Sequence, residues 1–271
     1  MVRLAATVML VRPAKHAGLE VYMLRRSEAS HFVPDVYVFP GGALEAADMS
    51  AEMLARTRGI DEPALQAQFR IQPSPSLPAP HDAPTPREAA GLLVAGVREL
   101  FEEAGVLLAC RPSGEPLTGE RMQSIAAVLE AARPEVAQGR MRFDELLGRL
   151  DLQADARALT LFSQWITPPV YPRRYNAHFF VAIAGEDQAA AADALETHDG
   201  VWIAPHDALE ACSHGTFSMV YPTIKHVERL AQFADTDSLL GFARTKAIYS
   251  VMPQTPGAHQ FALPAELEYA W

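Results

Sequence analysis

Residues 98–106 read Arg98-Glu99-Leu100-Phe101-Glu102-Glu103-Ala104-Gly105-Val106 and carry the most informative pattern of the sequence. This stretch closes a predicted helix that begins near Thr85. Thr85 suits the N-cap position, because Pro86 fits the first helical position and Glu88 completes a capping box. We expect the helix to run to about Ala104 and to end at Gly105, since glycine readily adopts the left-handed conformation of a C-cap.

The predicted helix has an apolar face and an acidic face. At 100° per residue, Glu99, Glu102 and Glu103 fall within an arc of about 100°. The apolar side chains gather on one broad side that can pack on a sheet: Ala90, Leu93, Val97, Leu100, Phe101 and Ala104. Like charges at this spacing repel one another, and the negative end of the helix dipole adds to the penalty. A divalent cation such as Mg²⁺ would offset the repulsion; a solvated acidic face is the alternative interpretation.

The segments around this helix alternate between strand and helix patterns. Apolar, β-branched runs at residues 5–11, 19–24 and 36–39 predict strands, and the last leads into the tight turn Pro40-Gly41-Gly42. Runs at 177–183 and 200–203 predict further strands, and an amphipathic stretch at 223–234 predicts a helix. This order indicates an α/β (α+β) sandwich with helices on a mixed sheet. We predict a single domain over residues 1–271, with a proline-dense insertion at about 49–84 and a C-terminal extension from about 236.

Composition and charge argue against several classes of partner. The formal net charge of −10 disfavours non-specific binding to nucleic acid or anionic membranes. It is compatible with a phosphorylated small substrate, because bound divalent cations invert the local field. Cys110 and Cys212 lack zinc-ligand spacing and are interpreted as free thiols of a reducing compartment. No run of the sequence approaches the roughly 20 apolar residues of a membrane span, so a cytoplasmic location is predicted.

The quoted stretch resembles the second half of the Nudix box, R-E-U-x-E-E-x-G-U with U aliphatic, at every fixed position. The first half of that box begins with a Gly-Gly turn after a strand, and Val38-Phe39-Pro40-Gly41-Gly42-Ala43-Leu44-Glu45 resembles it. The chain differs from the family pattern at Asp48, a supporting position where the box usually has a glutamate. It also places residues 49–97 in what is usually a short gap. We expect the two halves to meet, because lengthening a loop has only a small entropic cost.

The split box resembles one branch of the Nudix hydrolases, the diphosphatases that cleave coenzyme A (CoA) and acyl-CoA. Segments 165–169, 173–180 and 196–202 also resemble that branch, so the resemblance covers roughly residues 3–235. It implies a Nudix-type three-layer α/β/α sandwich with a mixed sheet and extra helical insertions. It further implies hydrolysis of a diphosphate in a nucleoside-diphosphate derivative. The first substrate to expect is CoA or acyl-CoA, cleaved to 3′,5′-ADP and (acyl-)4′-phosphopantetheine.

The resemblance also implies roles for residues of the box. Glu99, Glu102, Glu103 and the Gly42 carbonyl would bind Mg²⁺ or Mn²⁺, and Glu99 or Glu102 would take the proton of the attacking water. Arg98 belongs to the same catalytic set and would orient a carboxylate. Outside the box, the candidates for binding substrate are Arg26, Arg173, Arg174 and Glu196. The arginines are candidates because a guanidinium fork matches phosphate oxygens.

Two other functions stay open at this point. One is a diphosphatase for ADP-ribose, NADH or a nucleotide sugar, because the loops that would select the substrate cannot be placed from the sequence. The other is a Nudix fold that binds a ligand without catalysis, and the intact set Glu99, Glu102 and Glu103 argues against it. In each case the partner is a small-molecule diphosphate rather than nucleic acid or a membrane. A homodimer is left open.

Overall fold

The computed structural model describes residues 2–26, 35–72, 83–185, 190, 197–257, 260–268 and 271. Its strands, in chain order, are β1 (Arg3–Pro13), β2 (Leu19–Arg26), β3 (Tyr37–Val38), β4 (Gly41–Ala43), β5 (Thr57–Arg58), β6 (Ile71–Gln72), β7 (Ala109–Cys110), β8 (Gln153–Asp155), β9 (Thr160–Ile166), β10 (Tyr175–Ile183), β11 (Thr197–Ile203), β12 (Ile248–Val251), β13 (Gln254–Gly257) and β14 (Gln260–Ala262). Two small sheets, β5-β8-β7 and β13-β14, accompany one large sheet.

The large sheet is mixed and is organised around β1. Its described part has the order β11-β2-β1-β10-β9-β12-β6, with β3 paired to β2 and β4 paired to β1. On one edge, β1 runs parallel to β10, from Arg3 opposite Tyr175 to Val11 opposite Ile183. The other edge of β1 is shared between two antiparallel partners: residues 5–7 pair with β4 and residues 11–13 pair with β2. The predicted Gly-Gly turn is therefore fixed against the middle of the sheet.

Helices lie on both faces of this sheet. In chain order they are α1 (Ala51–Ala55), α2 (Glu62–Gln68), α3 (Pro86–Ala104), α4 (Gly119–Ala137), α5 (Phe143–Arg149), α6 (Pro205–Ser213), α7 (Tyr221–Leu230) and α8 (Thr236–Thr245). Short 3-10 helices occur at Ala47–Met49, Ala156–Ala158 and Ala265–Leu267. Successive side chains of a strand point to opposite faces. Val8 and Leu10 thus join the core beneath α3, whereas Met9 and Val11 join the core beneath α7. With one core on each face, the sheet and the helices on either side of it form the three layers that the sequence predicts.

Helix α3 has the ends that the sequence predicts. The Glu88 amide donates to Thr85 Oγ1 at 3.3 Å, and the Thr85 amide donates to Glu88 Oε2 at 2.8 Å, which completes the capping box. Gly105 has φ of +69° and ends the helix in the left-handed conformation. The predicted apolar side chains are buried, with Leu93 and Leu100 inaccessible to solvent. Both helix boundaries are confirmed. The burial extends further around the helix than predicted, because Gly96, on the arc of the glutamates, lies against Ala6 and Val8 of β1, whereas Phe101 packs on Phe143 of α5.

The predicted insertion and the C-terminal extension both add to the large sheet. β6, which follows α2, pairs with β12, and β12 in turn pairs with β9. Residues 73–82, which carry most of the proline-dense stretch, lie outside the described residues. Trp271 is 3% exposed, and its ring lies edge-on to Trp165 with 4.9 Å between centroids. We propose that the extension belongs to the same domain, because its side chains share one core with the strands.

Among the residues that the structure describes, two histidines are fully buried: His178 on β10 and His226 on α7. One ring nitrogen of His226, Nδ1, lies 2.6 Å from the Pro222 carbonyl, to which it donates, so that Nε2 accepts from the Ser163 hydroxyl, also at 2.6 Å. Burial lowers the pKa of His178 to about 4 and that of His226 to about 3. The cations that lower the pKa of His226 further are Lys246 and Arg229. Both rings are therefore neutral in the folded protein at neutral pH.

We expect the two buried histidines to lower the free energy of unfolding as the pH falls from about 6.5 towards 4. In that window an unfolded histidine binds a proton that the folded protein excludes, so each histidine removes up to about 1.4 kcal/mol per pH unit. Glu99, whose pKa is raised by burial, acts in the opposite direction, so the histidine contribution is measured as the difference between the unmodified protein and His226→Phe. In urea unfolding at pH 7.5, 6 and 5, His226→Phe should lose less stability than the unmodified protein as the pH falls, whereas His206→Ala, at an exposed position, should follow the unmodified protein. The same pH dependence in the unmodified protein and in His226→Phe would contradict this account.

Candidate active site

The Gly-Gly turn lies directly against the acidic end of α3. Gly41 pairs with Thr7 and Gly42 with Ala6 of β1, while the Val8 amide donates to the Pro40 carbonyl at 2.8 Å. A Cβ atom at Gly42 would overlap the carboxylate of Glu99, so a larger residue at this position would displace that carboxylate. The two halves of the box are thus in contact although residues 49–97 separate them, as the sequence predicts.

Glu103 links the turn to the helix. The Gly41 amide donates a hydrogen bond of 2.7 Å to Glu103 Oε2. The bond joins two positions that lie 62 residues apart in the chain, and it gives the Gly41 amide a hydrogen-bond acceptor. It also turns the Glu103 carboxylate towards β4, which brings it to the same cavity as Glu99 and Glu102.

Arg98 holds the other carboxylates of the box. Its side chain is 9% exposed and donates from Nη1 to Glu99 Oε1 at 2.9 Å and to Glu102 Oε1 at 3.2 Å. From Nε and Nη2 it donates to both carboxylate oxygens of Asp48, at 2.7 and 3.0 Å. Asp48, whose side chain is 1% exposed, also accepts from the Glu45 amide at 2.9 Å. Asp48 therefore fixes Arg98, and Arg98 fixes the two glutamates.

The carboxylates outnumber the cations in this network. Asp48, Glu99 and Glu102 share the guanidinium of Arg98. Burial raises the pKa of Glu99 to about 7, with the Arg98 charge opposing the rise and Glu102 adding to it. Burial also raises the pKa of Glu102. The site is thus built to gain from an additional positive charge.

The donor set fits a hard divalent cation. Glu99 and Glu102 bond to Arg98 through Oε1, and no hydrogen bond from the described residues reaches their Oε2 atoms. Both residues line one cavity together with Glu103 and Gly42, and oxygen atoms are what Mg²⁺ prefers. In the described part of the chain, however, no three Asp, Glu, His or Cys side chains already stand as a cluster that could hold an ion. The carboxylates would have to shift from Arg98 and Gly41 to do so.

The cavity beside these residues has a volume of about 890 Å³, within the range of small-molecule sites. Its charged wall comes from β2, from the turn and from α3. The charged side chains that line it are Arg26, Glu45, Arg98, Glu99, Glu102 and Glu103. The opposite wall comes from β9, β10, the start of α7 and the residues after β12. Its aromatic members are Trp165, Tyr171, Tyr175, Phe179, Tyr221 and Phe261.

The predicted substrate-binding residues do not all lie at the cavity. Arg26 lines the cavity. Arg173 is exposed, and Arg174 donates from Nε to the Thr167 carbonyl at 2.9 Å; neither lines the cavity. Glu196 lies outside the described residues. Of the three candidates that the structure describes, Arg26 is the one that lines the same cavity as the carboxylates.

Sequence reasoning missed two features of the site. Asp48 stands at a position of the box that was expected to have only a supporting role, yet it anchors the buried guanidinium. Its place three residues before α1 offered no sign of a partner 50 residues away. The aromatic residues of the opposite side of the cavity were missed because they come from segments far apart in the chain, and aromatic residues next to strands are usually interpreted as core.

Residues 1–230 match the family model described as NUDT19 Nudix domain. The chain belongs to this family. Its predicted membership of the Nudix superfamily and the CoA and acyl-CoA branch is confirmed, and so is its predicted class as a Nudix diphosphatase. Membership also connects the chain to a family that typically uses divalent metals, in agreement with the donor set.

Two NUDT19 relatives show how far the likeness extends. The human protein named acyl-coenzyme A diphosphatase NUDT19 is 32% identical over 252 residues, which are 88% of this chain and 67% of the human protein. The protein of the same name from Gallus gallus is 30% identical over 256 residues, 87% of this chain and 67% of that protein. The chain thus spans about two thirds of the length of each.

A solved structure confirms the predicted fold class. The crystal structure of a NUDIX hydrolase from Alicyclobacillus acidocaldarius superposes with a TM-score of 0.63, covering 92% of this chain and 97% of that one at 23% identity. The likeness at this identity concerns the fold. In the described ranges, no helix of this NUDT19 family member is long and apolar enough to cross a membrane.

We expect Asp48→Asn to lower kcat by about 10- to 100-fold, because a neutral amide no longer balances and orients the Arg98 guanidinium that holds Glu99 and Glu102. The matched control is Asp48→Glu, which restores the residue usual in the box and should retain most of the activity. Steady-state kinetics over a range of Mg²⁺ concentrations would measure both kcat and the apparent metal affinity. If Asp48→Asn matches the unmodified protein in both quantities, Asp48 does not position the site.

Proposed function

We propose that this protein hydrolyses the diphosphate of CoA and acyl-CoA with Mg²⁺ or Mn²⁺, and that the products are 3′,5′-ADP and (acyl-)4′-phosphopantetheine. One observation carries the proposal: the glutamates of the box meet the Gly-Gly turn at the wall of a cavity large enough for such a substrate. Membership of the NUDT19 family, with relatives named acyl-coenzyme A diphosphatases, supports this choice of substrate.

In the proposed reaction a water molecule is split across the P–O–P bridge. Its oxygen becomes bonded to one phosphorus, the bridging oxygen leaves with the other, and the proton passes to a carboxylate. Glu99 or Glu102 accepts this proton, since both residues line the cavity and Arg98 holds the Oε1 atom of each. Arg98 and Asp48 act as positioning residues, because they contact these carboxylates and are themselves buried.

Glu99, Glu102, Glu103 and the Gly42 carbonyl are the residues that would hold the divalent cation. A bound Mg²⁺ or Mn²⁺ supplies neutralisation of the diphosphate charge and a lowered pKa for its water ligand. Glu103, whose Oε2 accepts from the Gly41 amide, would have to move from that bond to bind the cation. Arg26, on the cavity wall, is the described candidate for contact with a substrate phosphate.

The partners and the location of the protein remain predictions from the sequence. The substrate is a small-molecule diphosphate, and nucleic acid and membranes are not expected as partners because of the net charge of −10. A cytoplasmic location and a homodimer rest on the sequence alone.

A substrate panel tests the proposed function. CoA, acetyl-CoA, ADP-ribose and NADH are each incubated with Mg²⁺ and with Mn²⁺, and the products are identified by mass. We expect 3′,5′-ADP from both CoA compounds, with kcat/KM at least about tenfold above that for ADP-ribose and NADH, a difference of roughly 1.4 kcal/mol in transition-state binding. EDTA should abolish turnover.

Other results of the panel point elsewhere. A preference for ADP-ribose or NADH would replace the CoA assignment by a diphosphatase of the second kind considered from the sequence. No turnover of any compound with either metal would favour a fold that binds its ligand without catalysis.

A further inference from the structure

One wall of the cavity is a continuous series of aromatic rings, which we call the aromatic wall: Trp165, Tyr171, Tyr221 and Phe261. Phe261 stacks on Tyr171 with 5.8 Å between centroids and 19° between planes, and on Tyr221 with 5.4 Å and 21°. Tyr221 in turn lies edge-on to Trp165 at 6.3 Å. Phe261 is therefore the ring that joins the loop after β9 to the start of α7.

The aromatic wall is supported by residues beyond the matched range 1–230. Phe261 lies on β14, which pairs with β13, and Pro253 before this hairpin also lines the cavity. Behind the wall, Trp271 packs against Trp165, and Arg229 donates from Nη2 to the Trp271 carbonyl at 3.1 Å. The C-terminal extension thus builds part of the binding cavity as well as part of the core.

Charge divides the cavity into two ends. Its lining charged side chains belong to Arg26, Glu45 and α3, whereas the described lining residues from β9 onward are uncharged. Prolines complete the surface around the aromatic wall: Pro168, Pro222 and Pro253. Such a surface favours an uncharged, largely apolar group over a phosphate. The diphosphate of CoA joins a phosphorylated adenosine, which is charged, to a pantetheine arm, which is not.

The acyl chain that the pantetheine arm carries is apolar. It therefore matches the uncharged surface of the aromatic wall, where burial of methylene groups is favourable.

We propose that the aromatic wall binds the acyl-bearing pantetheine arm of the substrate, and that Phe261 sets a preference for longer acyl chains. This inference rests on the proposed function and deepens it, because it assigns the uncharged half of the substrate to one side of the cavity. The binding energy is hydrophobic: each buried methylene of the acyl chain contributes about fourfold to binding, the equivalent of about 0.8 kcal/mol. Phe261 is thus a specificity-determining residue.

The test compares kcat/KM for CoA, butyryl-CoA and octanoyl-CoA in the unmodified protein and in Phe261→Ala. We expect kcat/KM to rise with chain length in the unmodified protein. In Phe261→Ala we expect a loss of about tenfold for octanoyl-CoA and less than about twofold for CoA. The matched control is Phe233→Ala, which removes a half-buried phenylalanine that packs on Phe242 outside the cavity lining and should lower all three values equally or not at all.

A second variant and a binding measurement keep the inference open to refutation. Tyr171→Ala removes one of the two rings that stack on Phe261. It should also reduce the ratio of kcat/KM for octanoyl-CoA to that for CoA. Calorimetric binding of octanoyl-CoA in EDTA should be about tenfold weaker for Phe261→Ala, whether or not the compound is hydrolysed.

Two results would overturn the assignment of the aromatic wall. The first is a ratio of kcat/KM for octanoyl-CoA to that for CoA that is unchanged in Phe261→Ala. The second is an equal loss of kcat/KM for all three substrates, which would mean that the wall contacts a part common to them. Absence of hydrolysis for every CoA compound would instead refute the proposed function. In that case the binding measurement alone tests the role of the aromatic wall. Equal affinity of the unmodified protein and of Phe261→Ala for octanoyl-CoA would refute the inference.

Discussion

The site depends on one buried guanidinium. Glu99 and Glu102 lie one turn apart on α3 and would repel each other without a cation between them. Arg98, on the same helix, donates to both of them and is itself fixed by the buried Asp48. A buried charge is stable only when it is paired and hydrogen-bonded, and this network provides both. The surplus of negative charge that remains is what suits the site to a divalent cation.

The sheet determines where this network meets the substrate. Because β1 shares one edge between β4 and β2, the Gly-Gly turn is held against the middle of the sheet rather than at its rim. Helix α3 packs on the same strands, so Gly42 lies against Glu99 and Gly41 donates to Glu103. The long segment between the halves of the box contributes the strand β6, which pairs with β12, and it does not keep the two halves apart. The two halves of the box therefore meet although this segment is long.

Local signals in the sequence predicted the helix and its acidic face but not the surroundings of that face. The capping box at Thr85, the stop at Gly105 and the spacing of Glu99, Glu102 and Glu103 depend on neighbours within a few residues, so the pattern alone predicts them. The contact between Asp48 and Arg98 spans 50 residues, and the aromatic wall joins segments around 165, 221 and 261. Such contacts arise only from the tertiary fold. Arg173 and Arg174 illustrate the same limit, because a tandem pair beside a strand does not reveal which side faces a cavity.

The most direct test of the central claim replaces a glutamate of α3 by its neutral isostere. Glu102→Gln and Glu103→Gln should fold normally, since a glutamine oxygen can still accept the hydrogen bonds from Arg98 and Gly41. Their kcat for acetyl-CoA with saturating Mg²⁺ should be lower by about 10²-fold or more, because a metal ligand or proton acceptor is lost. Glu130→Gln, on the exposed side of α4, should retain full activity. Full activity in either Glu102→Gln or Glu103→Gln would contradict the proposal that the acidic face of α3 binds the metal and accepts the proton.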